Sequence, residues 1–217
     1  MNTMIGFALC HGWSFDASAL APLQAALEQR FPEAACVSFD LGFTGHGHVP
    51  LLTPERDWIA LGHSYGFAYL MQQPVAWKAA VSINGFTRFC RRPGRPEGTP
   101  VRLLEAMLER LTQDQRATVQ DFYQRCGAAH GAPDHLDQPS LHAHLSRLRD
   151  LDLSLPSCPT LALATVDDAI VPLALARACF RTPAGVLREF EGDHARLLQE
   201  PVSCIDALAE LMESLYA

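Results

Sequence analysis

The pentapeptide Gly62-His63-Ser64-Tyr65-Gly66 constrains the fold of this chain more than any other stretch. It has the form G-x-S-x-G, which places a serine on a strand-to-helix turn too tight for side chains at the glycine positions. The preceding run, residues 58–61, is short and apolar like a buried strand, and residues 67–71 are compatible with a helix. The pattern predicts that Ser64 is a nucleophile. The alternative is an ordinary turn whose serine caps a helix.

Apolar strands alternate with helical segments along most of the chain. We predict helices over residues 17–30, 173–179 and 202–216, and strands over residues 5–10, 35–39, 58–61, 78–83, 159–165 and 185–190. Continuously apolar strands are typical of parallel sheets that are covered on both faces. The sequence therefore predicts an α/β fold with a mostly parallel sheet of about six strands, whose ligands bind at the carboxyl ends of the strands.

One long segment interrupts this alternation. Residues 86–153 contain no convincing strand, but apolar residues recur there at helical spacing, as in Val101, Leu104, Met107, Leu108 and Leu111. We expect a core made of residues 1–85 and 154–217, with residues 86–153 forming a helical lid. Such an insertion can cover an active site and select its substrate.

The bulk composition excludes several classes of protein. A hydrophobic content of 48% with 19% charged residues is typical of a globular chain, and the net charge of −7 argues against general binding of nucleic acid. There is no apolar run of membrane-spanning length, and the N-terminus lacks a basic segment with a cleavage site, so we expect a cytoplasmic protein without a membrane partner. The seven cysteines contain no C-x-x-C pair, so we expect them to be small buried apolar residues and not a disulfide framework.

A serine nucleophile needs a base and an acid, which in this kind of fold follow in the order Ser, Asp or Glu, His. His194 lies directly after the sixth predicted strand and is the best candidate for the base. Two carboxylates follow the fifth strand. We assign the acid to Asp168, and Asp167 is the alternative, with a role in the turn or as a helix cap if Asp168 is the acid.

An oxyanion intermediate also needs hydrogen-bond donors. The backbone N–H of Tyr65, next to the nucleophile, and that of Trp13, in the loop after the first strand, are the candidates. The alternative for His11-Gly12-Trp13 is a turn with a core tryptophan. We expect Trp13, Phe86 and Phe89 to contact the substrate.

No cofactor or metal is expected. The sequence lacks a glycine-rich phosphate loop and a dinucleotide fingerprint. His46-x-His48 and His142-x-His144 could begin a metal site, but nothing at suitable spacing completes either one, so these are expected to be solvent-exposed loop histidines.

Four motifs together resemble the α/β-hydrolase superfamily over nearly the whole chain: His11-Gly12-Trp13, the pentapeptide around Ser64, Asp168-x-x-Val171-Pro172 and Gly192-Asp193-His194. The His-Gly-Trp loop and the stretches 110–116 and 118–122 are also similar to the pimeloyl-acyl-carrier-protein methyl ester esterases of biotin synthesis. This resemblance implies hydrolysis of a methyl ester on an acyl chain carried by an acidic carrier protein, with lid arginines contacting the carrier.

The chain departs from the superfamily pattern in two places. It begins at what would be the third strand, and the connection between Asp40 and Trp58 is too short for the helix that normally packs there. We therefore expect a smaller sheet with one face more thinly covered.

The charge of the lid offers independent support for an acidic partner. Residues 88–116 hold seven arginines against four carboxylates, an excess of three positive charges in an acidic chain. Such a surface can steer an acidic partner, although an arginine-rich stretch is more commonly a solvated surface. The docking candidates are Arg91, Arg92, Arg110 and Arg116.

These observations predict a serine carboxylester hydrolase acting through an acyl-enzyme on a small-molecule or carrier-bound ester. A serine nucleophile disfavours the haloalkane dehalogenase and epoxide hydrolase branches, which resemble this fold but use an aspartate. A thioesterase or other acyl hydrolase on small substrates remains an alternative, because the triad recognises only an activated carbonyl. The other alternative is a non-catalytic ligand-binding protein on the same scaffold.

Overall fold

Six short strands form one all-parallel sheet in the computed structural model, which describes residues 4–181 and 185–217. Residues 1–3, which belong to the N-terminal segment where no targeting signal is expected, lie outside the described residues, as do residues 182–184. Every predicted strand is confirmed, with ends within two residues of the prediction. The strands are β1 Met4–Cys10, β2 Ala35–Phe39, β3 Arg56–His63, β4 Ala79–Ile83, β5 Thr160–Thr165 and β6 Gly185–Phe190. Their order across the sheet is β2-β1-β3-β4-β5-β6.

Eight α-helices lie in the described residues. They are α1 Ala21–Arg30, α2 Tyr65–Met71, α3 Val101–Gln113, α4 Gln115–Cys126, α5 Gln138–Arg147, α6 Leu173–Phe180, α7 Arg196–Gln199 and α8 Val202–Tyr216. The prediction of one helix over residues 17–30 is wrong at its start, because Ala17–Leu20 forms a separate 3-10 turn. Pro22 explains the division: within a continuous helix its ring would clash with the carbonyl of Ser18. The short helix α7 was not predicted.

The sheet has a hydrophobic core on each face, and successive side chains of a strand pack alternately into the two cores because they point to opposite faces of the sheet. Phe7 and Leu9 of β1 pack into the layer formed by α1, α7 and α8. On the other face, Ala8, Ala60 and Ala80 lie side by side in β1, β3 and β4. Helix α2 contacts these three strands. The small side chains let α2 pack close to the sheet, which sets the position of its first turn.

Helices α3, α4 and α5 occupy the segment between β4 and β5. Asp114 caps α4 by accepting a hydrogen bond from the Ala117 N–H, and Gly127, with φ 68°, ends that helix. One hydrophobic cluster includes Leu111, Val119 and Leu145 of these helices together with the α2 side of the sheet. The insertion thus shares its core with the body of the protein.

The connection from β2 to β3, residues 40–55, is a loop without a helix. It is closed at its base by backbone hydrogen bonds between Asp40 and His48. All seven cysteines are free thiols; Cys36 and Cys158 are half-buried and the other five are buried. In the part of the chain that the structure describes, no helix is both long and apolar enough to cross a membrane.

Candidate active site

Ser64 occupies a strained turn between β3 and α2. Its backbone has φ 55° and ψ −124°, a conformation that residues other than glycine rarely adopt. A Cβ at Gly62 would lie 2.2 Å from Cα of Phe67, and one at Gly66 would lie 2.3 Å from the carbonyl oxygen of Cys10. Both glycines of the motif are therefore required by close backbone approach, and the serine between them is held at the carboxyl edge of the sheet.

Asp168 and His194 form a buried pair in the loops that follow β5 and β6. Nδ1 of His194 lies 2.6 Å from Oδ2 of Asp168, and both side chains are at most 1% exposed. The other carboxylate oxygen, Oδ1, accepts hydrogen bonds of 2.7 Å from the N–H groups of Ile170 and Val171. Asp167 is exposed. The structure thus brings Asp168, and not Asp167, to His194.

The second ring nitrogen of His194 points away from Asp168. Among the described residues, its Nε2 is buried and has no hydrogen-bond partner, so neither Ser64 nor any other side chain occupies it. Hydrogen bonds between a nucleophile and its base are commonly long before substrate binds. A neutral imidazole that donates from Nδ1 to Asp168 presents Nε2 as an acceptor.

A second set of polar residues, which sequence reasoning missed, holds the backbone of His194. The carbonyl oxygen of His194 accepts hydrogen bonds from Nε2 of His63, at 3.0 Å, and from Nδ2 of Asn84, at 2.9 Å. Asn84 also accepts from the N–H of Thr165 through Oδ1, at 2.8 Å. Burial lowers the pKa of His63 well below its ordinary value, which keeps the ring neutral.

His63 and Thr165 are the last residues of β3 and β5, and Asn84 directly follows β4. Polar residues at the carboxyl ends of three neighbouring apolar strands are the signal that could have identified this group from the sequence. Asn84 also has φ 47°, a second mark of a specialised position. Through these contacts, the strand ends that lie next to Ser64 and Asp168 also fix the loop that carries His194.

Trp13 and Tyr65 both carry backbone N–H groups that donate to no other described residue. Their positions are close to Ser64: Tyr65 follows it in the chain, and a Cβ at Gly12 would lie 3.0 Å from Cβ of Ser64. Unpaired N–H groups beside a nucleophile are what an oxyanion hole requires.

Trp13, Ser14 and Tyr65 are hydrogen-bonded to helices α4 and α5 of the insertion. Nε1 of Trp13 donates to the carbonyl of Leu141 in α5, at 2.9 Å, and the hydroxyl of Tyr123 in α4 donates to the carbonyl of Ser14, at 2.8 Å. The hydroxyl of Tyr65 lies 3.0 Å from Nδ1 of His144 in α5. Ser14, with φ 65°, holds a conformation that needs such support.

One cavity reaches Ser64, and a second cavity adjoins it. The inner one, of about 30 Å³, touches Ser64 and is lined by the three predicted substrate-contact residues, Trp13, Phe86 and Phe89. The outer one, of about 280 Å³, lies between α3 and α4. Both have largely apolar walls and share part of their lining.

The arginine candidates divide into paired and unpaired groups. Arg110 lies 3.3 Å from Asp121, and Arg116 lies 3.4 Å from Asp134. In the described residues, Arg91 and Arg92 make hydrogen bonds only to backbone carbonyls, those of Gly98 at 2.9 Å and Arg149 at 2.7 Å. Neither arginine forms a direct ion pair with a residue that the structure describes.

The prediction that both histidine pairs are exposed and lie in loops is wrong for the second pair. His46 and His48 are exposed in the β2–β3 loop as expected, but His142 and His144 belong to helix α5. His144 is half-buried because α5 packs against the aromatic rings of Phe43 and Tyr65. Across residues 4–181 and 185–217, no group of three or more His, Cys, Asp or Glu side chains could hold a metal ion.

No protein-family model and no curated protein matches the sequence. Solved structures match over nearly the whole chain. An esterase from Exiguobacterium antarcticum has a TM-score of 0.80 and 17% identity, covering 98% of this chain and 93% of that one. A bromoperoxidase from Bacillus anthracis has a TM-score of 0.78 and 16% identity, covering 97% and 92%. BioG from Haemophilus influenzae has a TM-score of 0.65 and 18% identity, covering 91% and 92%. The chain has the α/β-hydrolase fold.

Proposed function

We propose that this protein is a serine carboxylester hydrolase that works through an acyl-enzyme on Ser64. The supporting observation is the buried Asp168–His194 pair, 2.6 Å apart, at the same sheet edge as a serine held at positive φ between two indispensable glycines. A serine used only as a helix cap would accept a hydrogen bond from the helix, and Ser64 makes no such bond at the start of α2.

The proposed reaction has two halves. Oγ of Ser64 attacks the ester carbonyl while its proton moves to Nε2 of His194, and the oxygen of the tetrahedral intermediate accepts from the N–H groups of Trp13 and Tyr65. His194 then gives the proton to the departing alkoxide, and the alcohol leaves. Water attacks the acyl-enzyme by the same route and releases the carboxylic acid. Asp168 stabilises the imidazolium of His194 in both halves.

Hydrolysis of p-nitrophenyl acetate, butyrate and octanoate tests this proposal, with Ser64→Ala alongside. Removal of the nucleophile should lower kcat by at least about 10⁴-fold, because only binding and the oxyanion donors remain. Labelling of Ser64 by a fluorophosphonate should disappear in the same variant. Ser82→Ala is a matched control, since Ser82 is also buried and its Oγ has no partner among the described residues. Equal rates for wild type and Ser64→Ala would refute the proposal.

We further propose that the natural substrate is a methyl ester on an acyl chain carried by an acyl carrier protein, as in biotin synthesis in the cytoplasm. The sequence resemblance to the pimeloyl-acyl-carrier-protein methyl ester esterases supports this choice. Arg91 and Arg92, which form no direct ion pair among the described residues, supply positive charge for an acidic carrier, whereas Arg110 and Arg116 each lie beside a carboxylate. Neither nucleic acid nor a membrane is an expected partner.

Charge reversal of Arg91 and Arg92 tests carrier docking. The double variant Arg91→Glu, Arg92→Glu should lower kcat/KM for a carrier-bound methyl ester by about tenfold or more at low salt, and less at high salt, because exposed charges are screened. Hydrolysis of p-nitrophenyl acetate should not change. The double variant Arg30→Glu, Arg181→Glu makes the same change in net charge at two exposed arginines outside the insertion and is the control. An equal loss on both substrates, or the same loss in the control, would contradict docking at this surface.

A further inference from the structure

The inner cavity is too small for the substrate that the proposed function requires. Its volume of about 30 Å³ accommodates about two water molecules. An acyl chain needs more room than this. The outer cavity, of about 280 Å³, approaches the lower limit of small-molecule pockets, about 300 Å³, but it does not itself include Ser64 in its lining. A substrate whose chain lies in the outer cavity must therefore pass the residues that line both cavities in order to reach Ser64.

The residues that line both cavities are Phe89, Met107, Phe122 and Ile170. Three of them are held in place. Phe122 packs edge-on against Trp13, with ring centroids 5.0 Å apart. The N–H of Ile170 is bound to Asp168. Phe89 packs on Phe86 at 5.0 Å, and its carbonyl accepts from the N–H of Thr99.

Met107 differs from the other three residues. It lies on α3, the helix of the insertion that carries the exposed Leu103, 54% accessible, and it is itself only partly buried. A methionine side chain is unbranched and changes rotamer more readily than an aromatic or β-branched one. Met107 can therefore move aside without breaking a hydrogen bond or an aromatic contact described above.

We infer that the outer cavity binds an unbranched hydrocarbon chain of the ester and that Met107 is the gate through which this chain connects to Ser64. The inference rests on the proposed function and adds a substrate class and a specificity-determining residue to it. The largely apolar wall favours methylene groups, while Arg110, Asp121 and Arg125 place polar groups on the same lining and can meet a polar chain end. A branched or cyclic group would have to displace the fixed aromatic rings as well.

Chain-length profiles of Met107 variants test the gate. The substrates are methyl acetate, methyl butyrate and methyl octanoate, and in parallel octyl acetate, with acid release followed at constant pH. Met107→Ala should raise the ratio of kcat/KM for an ester with an eight-carbon chain to kcat/KM for methyl acetate by roughly tenfold, as expected for pocket changes of this size. Met107→Trp should lower the same ratio by a similar factor. The eight-carbon ester used is whichever of methyl octanoate and octyl acetate the wild type hydrolyses faster. The two eight-carbon esters show whether the chain belongs to the acid or to the alcohol.

Controls separate the gate from the proposed function. Met212→Ala removes a buried methionine of α8 on the opposite face of the sheet and should leave every ratio unchanged. Turnover of p-nitrophenyl acetate shows that each variant is folded and active, and Met107→Leu replaces Met107→Trp if the larger side chain prevents folding. An unchanged ratio in active Met107 variants overturns the gate and leaves the esterase intact. Absence of fluorophosphonate labelling and of all turnover in the wild type overturns both.

Discussion

Replacement of Asp168 by Asn should change the tautomer of His194 without disturbing the loop that carries it. Oδ1 of Asp168 accepts from the N–H groups of Ile170 and Val171, and these two donors cannot be reoriented because they belong to the backbone. An asparagine must therefore keep its carbonyl oxygen at this position. Its amide NH₂ then takes the place of Oδ2, which lies 2.6 Å from Nδ1 of His194.

A donor facing Nδ1 requires that nitrogen to be an acceptor, so the proton of the imidazole moves to Nε2. In that tautomer His194 cannot take the proton of Ser64. The loss in kcat should be about 10⁴-fold, the size found when a triad aspartate is replaced by asparagine with its geometry intact. At 1.36 kcal/mol for each factor of ten, this is about 5 kcal/mol of transition-state stabilisation.

The assay is kcat for p-nitrophenyl acetate, combined with urea unfolding to establish that the variant is folded. Asp167→Asn is the matched control: it makes the same chemical change one residue earlier, at an exposed side chain, and should alter kcat by less than about twofold. A loss of less than tenfold in folded Asp168→Asn would refute the reasoning. A greater loss in Asp167→Asn than in Asp168→Asn would mean that the acid has been wrongly assigned.

Two further predictions concern the contacts between the insertion and the site. Tyr123→Phe removes the donor to the carbonyl of Ser14, so we expect a loss of about 1–3 kcal/mol in the free energy of unfolding and a fall in kcat for p-nitrophenyl acetate with little change in KM; an unchanged kcat would show that this bond does not position the Trp13 N–H. Burial, with a contribution from Arg147, lowers the pKa of His144 to about 4. Between this pH and the ordinary pKa of 6.5, the unfolded chain binds a proton that the folded protein does not bind. The free energy of unfolding should therefore fall as the pH falls through that range. Between pH 7 and about pH 4.5, urea unfolding should show a smaller loss in the free energy of unfolding for His144→Gln than for wild type. Equal losses in the two proteins would contradict the burial of a neutral imidazole.

The strands of this protein could be predicted closely because most are short, mainly apolar runs bounded by polar, glycine or proline residues; β6, which contains Arg188 and Glu189, is the exception. The preference for Asp168 over Asp167 rested on position alone, and the structure supplies its geometric reason in the two backbone donors. The contacts of Asn84 could not be predicted, because their partners, Thr165 and His194, lie 81 and 110 positions further along the chain. Only the register of the sheet brings these partners together.

The insertion was harder to interpret from sequence than the core. Counting charges over residues 88–116 gives an excess of three, but it does not tell which arginines have acidic neighbours. Arg88, for example, is buried and lies 3.5 Å from Glu97, so it contributes nothing to a docking surface. His144 was misjudged for a similar reason: its burial depends on where α5 docks and not on the residues around it in the chain.

The hydrogen bonds that tie Trp13 and Ser14 to helices α5 and α4 have a consequence for how such an enzyme can diversify. A segment that only shaped the pocket could be exchanged between relatives to graft one specificity onto another. Here a transplant of residues 86–153 would carry in a new pocket but would also discard the Tyr123 hydroxyl and the Leu141 carbonyl. The donor segment and the loop at residues 11–15 would have to be transferred together.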